Sequence, residues 1–167
     1  MMDAYRAIVS KRDTRVFLEK AVPDDVVRRI VQAGRMAGSS KNTQPCRFVV
    51  IDDAAVKDAI AKCGDFAAWF PSTPLLIAVA VSNQSKRAEF DAGRAAQNMM
   101  VAAWADGVSS CPTTMHRVEE ARETLGLPEE FHVSTVIGFG YRAREPKHVA
   151  EAARLPYDEY VRRNRWQ

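Results

Sequence analysis

Apolar and polar positions alternate along this chain with two periods, and the periods divide it into helices and strands. Val26, Val27, Ile30 and Val31 share a helical face ahead of Gly34, and Tyr5, Ile8 and Val9 predict a shorter helix near the start. Pro23, Asp24 and Asp25 mark the beginning of the second helix, where acidic groups suit the positive end of the helix dipole. The short apolar run Phe48, Val49, Val50, Ile51 predicts a strand, and Asp52-Asp53 then caps a helix carrying Val56, Ile60 and Ala61 that Gly64 ends. Residues 74–81 are continuously apolar, which predicts a strand buried on both faces. The longest helix is expected over 89–106, with Ala92, Ala95, Ala96, Met99, Met100, Ala103 and Trp104 covering most of its circumference. Such a helix belongs either in a core or in a subunit interface. A further helix over 119–125, stopped by Gly126 and Pro128, and a strand over 132–141 complete the pattern. Strands interleaved with amphipathic helices give an α+β or α/β class.

Three polar breaks interrupt this pattern. At 37–45 the run Ala-Gly-Ser-Ser-Lys-Asn-Thr-Gln-Pro lies between a predicted helix and a predicted strand. By composition it reads as a polar connection, and by chemistry as a dense set of donors for a ligand rich in carbonyl, ring-nitrogen or phosphate acceptors. At 11–17, three cations, Lys11, Arg12 and Arg15, fall within five residues, with Asp13 placed to orient an arginine. A cluster this tight is a solvated turn or a phosphate grip. The third break, 108–115, is a small-residue segment expected to be a loop. An aromatic stretch, Phe66, Trp69 and Phe70, is suited to core filling or to one wall of a pocket.

Composition narrows the function classes. The 167 residues suit a single domain, 1–167, with no linker to divide it. Lys and Arg number 24 against 21 Asp and Glu, and the two signs are interleaved, so nucleic acid is not expected as a partner. No apolar run reaches transmembrane length, so no membrane association is expected, and Met1 to Arg6 lacks a signal-peptide core, so a cytoplasmic location is expected. The three cysteines, Cys46, Cys63 and Cys111, show neither disulfide nor zinc spacing, and His116, His132 and His148 show no triad or metal-ligand spacing. No metal site is expected.

Taken in order, these stretches resemble the nitroreductase-like flavoenzyme family. Residues 11–17 resemble its Arg-Arg-Ser-x-Arg-x-Phe segment, and residues 37–46 its Ala-Pro-Ser-x-x-Asn-x-Gln-Pro-Trp loop, with Gly38 in place of Pro and Cys46 in place of Trp. The helix from Gly93 through Gly107-Val108, the Leu-Gly-Leu-Pro at 125–128 before a strand ending in Gly-Tyr, and the closing 154–159 are similar to the family's later features. The resemblance implies an α+β nitroreductase-like fold: a central, mostly antiparallel sheet flanked by helices, in an intertwined homodimer whose segment 142–167 packs on the partner subunit. It implies FMN at the interface, with NAD(P)H as transient hydride donor. Lys11, Arg12, Asp13 and Arg15 would hold the ribityl phosphate, helped by Arg154; Ser39, Ser40, Asn42 and Gln44 would reach the flavin from the other subunit; and Pro112, Thr113 and Thr114 would pass backbone over its ring. No side chain is expected to act as a catalytic nucleophile or acid, because the hydride chemistry belongs to the cofactor.

The implied activity is transfer of hydride from NAD(P)H through flavin to a nitroaromatic, a quinone or a similar small acceptor, with ping-pong kinetics. The alternatives under the same motifs are a non-catalytic flavin-binding or sequestering protein and a relative that uses a deazaflavin. A helical interaction module built on the alanine-rich helix is a third reading.

Overall fold

The computed structural model describes residues 2–83, 87–144 and 154–166. Helix α1 (Ala4–Ser10) is capped by Asp3, whose carboxylate accepts the Arg6 N–H. Helix α2 (Asp24–Arg35) starts after Pro23 with two acids in its first turn. Strand β1 (Cys46–Ile51) follows, and Asp53 caps α3 (Ala54–Ala61) by accepting the Val56 N–H at 2.9 Å. Next come β2 (Leu75–Ser82), α4 (Ala88–Ala105), β3 (Ser109–Thr113), α5 (Val118–Thr124), β4 (Phe131–Gly140) and the single turn α6 (Tyr157–Tyr160).

The strands form one antiparallel sheet in the order β1-β2-β4-β3. Its two faces carry separate apolar clusters, which gives three layers. Alternation along β2 sends Leu75, Ile77, Val79 and Val81 toward α2 and α4, and Leu76 and Ala78 toward α3 and α5. The expected strand at 74–81 is therefore buried on both faces, because a helical layer covers each side of a central strand. Phe139 and Ile137 of β4 join the first cluster and Val136 the second, so the α+β fold has a core on both sides of the sheet.

Two expectations need correction. The small-residue segment at 108–115 is not a loop through its length: Ser109 to Thr113 form an edge strand, since pairing with β4 outweighs their weak strand propensity. Pro112 is compatible with this position because edge strands tolerate a missing N–H. The longest helix is also not enclosed all round. On α4, buried Asp91, Ala92, Ala95, Ala96, Met99 and Met100 alternate in pairs with exposed Phe90, Gly93, Arg94, Gln97 and Asn98. The apolar residues are real core residues, but they occupy one side.

Two of the three histidines act as ties between elements. His132 of β4 hydrogen-bonds Glu89 of α4 at 2.6 Å through Nε2 and meets Asn83 through Nδ1. Ser134 stands at a register shift where β4 passes the Val79/Ala80 step of β2, and its hydroxyl donates to the same Glu89 at 2.5 Å. His116 accepts the Asp65 N–H through Nδ1 at 3.1 Å. His148 and Lys147 lie outside the described residues. Among the described residues no helix is long and apolar enough to cross a membrane, and no group of His, Cys, Asp or Glu is arranged to hold a metal ion.

The close crossing of α2 and α4 sets the position of the loop that follows α2. Gly34 makes that approach possible: a Cβ there would stand 2.7 Å from Met99 Cγ and 3.1 Å from Phe48 Cζ. Gly34→Val is expected to destabilise the protein by about 1–3 kcal/mol through overpacking. Urea unfolding monitored by circular dichroism checks this, and an unchanged midpoint would contradict the crossing.

Candidate functional site

Residues 11–15 leave α1 and run beside the outer edge of β3. Asp13 bridges to Ser110 in parallel register, and the Thr14 N–H donates to the Ser110 carbonyl at 3.2 Å. Lys11 is nearly buried, its ammonium paired with Asp13 and 3.5 Å from Met100 Sδ. Arg15 is exposed, and its positive charge acts on the buried Cys111 thiol, which donates to the Pro112 carbonyl at 3.7 Å. Burial and the negative charge of Asp13 push that thiol's pKa up, against the opposing pull of Arg15 and Lys11. Arg12 turns back instead, donating to the Val9 carbonyl at 2.9 Å and its neighbour's carbonyl at 2.8 Å, so one face of its guanidinium satisfies the end of α1.

Two hydroxyls beside this segment, those of Ser109 and Ser110, are buried with no hydrogen-bond partner among the described residues. An orphaned buried hydroxyl costs free energy unless a partner is supplied; being consecutive in β3, the two point to opposite faces of the sheet, with Ser110, opposite Phe139, on the side of α4. Of the other residues expected here, Pro112 is half-buried opposite Ile137, the buried Thr113 accepts the Thr135 hydroxyl through its carbonyl at 3.1 Å, and Thr114 is exposed just past the strand. Lys11, Asp13, Arg15, Pro112, Thr113 and Thr114 thus belong to one region.

The 37–45 loop forms a second, separate region. Its middle is a single 3-10 turn, Ser40–Asn42, and three of its non-glycine residues, Lys41, Asn42 and Gln44, have positive φ of 50°, 56° and 50°. Side chains rarely adopt that conformation, and runs of it persist only where the surroundings enforce it. Four sets of contacts do so. Ser39 Oγ accepts the Gln44 N–H at 2.9 Å, the Arg47 guanidinium donates to the Gln44 carbonyl at 2.9 Å, the Ser39 and Ser40 carbonyls accept the Asn42 and Thr43 N–H groups, and Asp91 Oδ2 accepts the Ser40 N–H at 3.2 Å. The side chains of Lys41, Asn42 and Gln44 are left exposed.

Behind this loop is a cavity of about 480 Å³ bounded by α2, the start of β1 and α4, with Cys46 and Asp91 in its wall. Burial, then the charges of Asp91 and Glu89, push the Cys46 thiol up to about 11, with Arg47 opposing. Cys46 is therefore a neutral thiol near pH 7, unsuited to nucleophilic attack.

Within one chain the two regions are apart. The loop rests on α4 at Asp91, whereas the basic segment rests on it at Met100 and Trp104, the latter donating to Ser10 at 2.9 Å. Nine residues of helix separate Asp91 from Met100, about 13 Å along the axis. Arg154 lies in neither group as folded; it begins the segment 154–166, every residue of which is exposed. Sequence reasoning missed Asp91. Its signal was available as the one carboxylate on the alanine face of α4, a charge where the pattern calls for a small apolar residue.

A sequence model of the Nitroreductase family matches residues 8–69 and 64–141. A provisionally named NADH dehydrogenase/NAD(P)H nitroreductase of Archaeoglobus fulgidus is 25% identical over 175 residues, covering 99% of this chain and 100% of its own length. The NADPH-flavin oxidoreductase of Vibrio harveyi is 26% identical, covering 100% of this chain and 76% of its own. An FMN-dependent nitroreductase of Clostridium difficile has the same fold, with a TM-score of 0.89 at 22% identity over 96% of this chain and 98% of its own. With matched segments that run from α1 to the end of β4 and the fold that they share, this chain belongs to the nitroreductase family.

Proposed function

We propose that the protein is a homodimeric, FMN-dependent oxidoreductase that takes hydride from NAD(P)H and delivers it to a nitroaromatic, a quinone or a similar small acceptor. The observation that carries this reading is the division of a flavin-compatible set of groups into two regions: the cations Lys11 and Arg15 beside β3, and strained, donor-rich backbone on the 37–45 loop.

A two-fold axis reconciles the division. If α4 of one subunit packs antiparallel on α4 of its partner, the amino half of each helix lies against the carboxyl half of the other, as an isologous interface requires. The loop at the Asp91 end of one subunit then faces the basic segment at the Met100 end of the other. The exposed side of α4 suits this packing, since a Cβ at Gly93 would meet nothing within 4 Å and Phe90 is 70% exposed. The apolar residues Tyr5 and Ile8 on α1, and Tyr157, Tyr160 and Trp166 in the terminal segment, are also exposed in the single chain. Covering them is the expected role of the partner, and the 142–167 segment is proposed to lie across it, bringing Arg154 to the site.

The residues present fit the cofactor by their chemistry. Lys11 and Arg15 supply positive charge for the phosphate, Lys11 braced by Asp13. Ser39, Ser40, Asn42 and Gln44 offer N–H, hydroxyl and amide groups that match the alternating acceptors and donors of a flavin pyrimidine ring. The β3 backbone around Pro112 to Thr114 is proposed to run along the ring and favour charge on its reduced form. Bound flavin supplies the hydride chemistry, so NAD(P)H and the acceptor occupy the same face in turn and ping-pong kinetics follow.

Purified protein is expected to absorb as bound FMN and to bleach on anaerobic addition of NADH or NADPH. Protein that neither carries nor can be reconstituted with FMN would refute the proposal, whereas yellow protein inert to both nicotinamides would select the sequestering alternative. Arg15→Ala removes a charge-assisted phosphate contact, so FMN affinity measured by fluorescence should fall by roughly 10-fold or more; unchanged affinity would misplace the phosphate. Because thiolate is the reactive form of cysteine, alkylation of native Cys46 by iodoacetamide at pH 8 should run about 100-fold slower than for an ordinary thiol and rise about tenfold per pH unit toward 11. Rapid labelling of the Cys46 peptide at pH 8, read by mass spectrometry, would contradict this.

A further inference from the structure

Asp91 is a charged residue that the proposed hydride transfer does not use, and it is buried. Its side chain is 3% exposed, on a helical face otherwise made of alanine and methionine. A carboxylate in that position requires compensation. Part comes from its place in the first turn of α4, where the helix dipole favours negative charge. The remainder comes from two groups of the facing layer and the next turn. Asp91 Oδ2 accepts the backbone N–H of Ser40 at 3.2 Å, and Oδ1 pairs with Arg94 at 3.7 Å. The Arg94 guanidinium in turn lies over Gly38, close enough that a Cβ there would stand 2.7 Å from one of its nitrogens. One buried carboxylate therefore reaches the 37–45 loop at two points, directly at Ser40 and through Arg94 at Gly38.

Those points sit just before the strained residues. Lys41 and Asn42 follow Ser40 immediately, both with positive φ, and Gln44 is held by Ser39 Oγ. Left-handed backbone at successive non-glycine residues relaxes unless both flanks are fixed. On the carboxyl side Pro45 is buried at the entry to β1, which fixes one flank. On the amino side Gly38 and Ser39 have little packing of their own, and the Ser40 N–H is the first group of the turn held by a residue distant in sequence.

We propose that Asp91 is the positioning residue of the 37–45 loop: by accepting the Ser40 N–H from the first turn of α4, it holds Lys41, Asn42 and Gln44 in the conformation that presents them to the ligand. Its role in ligand binding rests on the flavin reading of this loop; its role in ordering the loop does not. Asparagine at 91 retains an oxygen for the Ser40 N–H and loses only the ion pair with Arg94. Alanine loses both.

The test uses the full-length chain in flavin-free and FMN-bound forms. In the flavin-free protein, tryptic cleavage after the exposed Lys41, followed by mass spectrometry, is expected to run at least tenfold faster in Asp91→Ala than in the original, with Asp91→Asn within about threefold of the original. FMN affinity measured by flavin fluorescence should follow the same order, about tenfold lower in Asp91→Ala and nearly unchanged in Asp91→Asn. A purely structural carboxylate would instead lower global unfolding stability without selective cleavage at Lys41. Should Asp91→Ala not fold, amide hydrogen exchange by NMR on the unsubstituted protein decides: a protected Ser40 N–H is expected. An unprotected Ser40 N–H, equal cleavage in all three proteins, or an Asp91→Asn variant as labile as Asp91→Ala would each overturn the proposal. Failure of the unsubstituted protein to bind FMN would overturn the flavin reading instead, while the cleavage and exchange results would still judge the contact.

Discussion

The structure depends on the packing of α4 against the sheet. Pairs of small or flexible residues, Ala92, Ala95, Ala96, Met99 and Met100, bury at four-residue intervals, which turns one side of the helix into core and leaves the intervening pairs outside. Small side chains allow α2 and β1 to approach the same helix, with Gly34 at the closest point. Because the helix is 18 residues long, it also fixes the separation between the loop at its amino half and the basic segment at its carboxyl half. The rigidity of a buried helix makes that spacing a property of the fold rather than of the loops.

This geometry explains why a single chain looks incomplete. The donor-rich loop and the cation-rich edge of β3 are both held firmly, yet they are not neighbours, and the surfaces near them are apolar where a monomer would be polar. Phe90 on α4, Tyr5 and Ile8 on α1 and Trp166 near the end of the chain are all exposed. The two-fold partner proposed above would satisfy both observations with one operation, bringing the halves together and covering the patches.

Much of the fold was legible because its elements are locally consistent. Helix α2 has its acidic first turn and a glycine near its end, β2 is continuously apolar, and α3 has its Asp53 cap. What was not legible was set by distant contacts. β3 is made of serine, cysteine, proline and threonine, and only β4 beside it makes it a strand. The two-sidedness of α4 was hidden because alanine satisfies both a core and an interface, so its periodicity carries little contrast. The basic segment could be identified as a charge cluster, but its attachment to Ser110 and Met100 joins residues nearly a hundred positions apart, which no spacing rule reads. Likewise the 37–45 loop was visible as a donor-rich break, while its left-handed residues, which lack glycine's signature, were not.

The departures at Gly38 and Cys46 fit the way the loop is held. A proline at 38 would stiffen the chain by fixing φ and limiting the residue before it, whereas glycine there supplies no stiffness and leaves space that the Arg94 guanidinium occupies. Cys46, much smaller than a large ring, is one of the residues that line the cavity of about 480 Å³ behind the loop. Both changes remove local support from a segment whose backbone is strained, so order has to come from elsewhere. Asp91, with Arg94, contributes that support at the amino flank, as Arg47 does at the Gln44 carbonyl, and its charge adds to the effect of burial in raising the Cys46 pKa. Part of the loop's support thus comes from the first turn of α4, the helix against which α2, β1 and the sheet are packed.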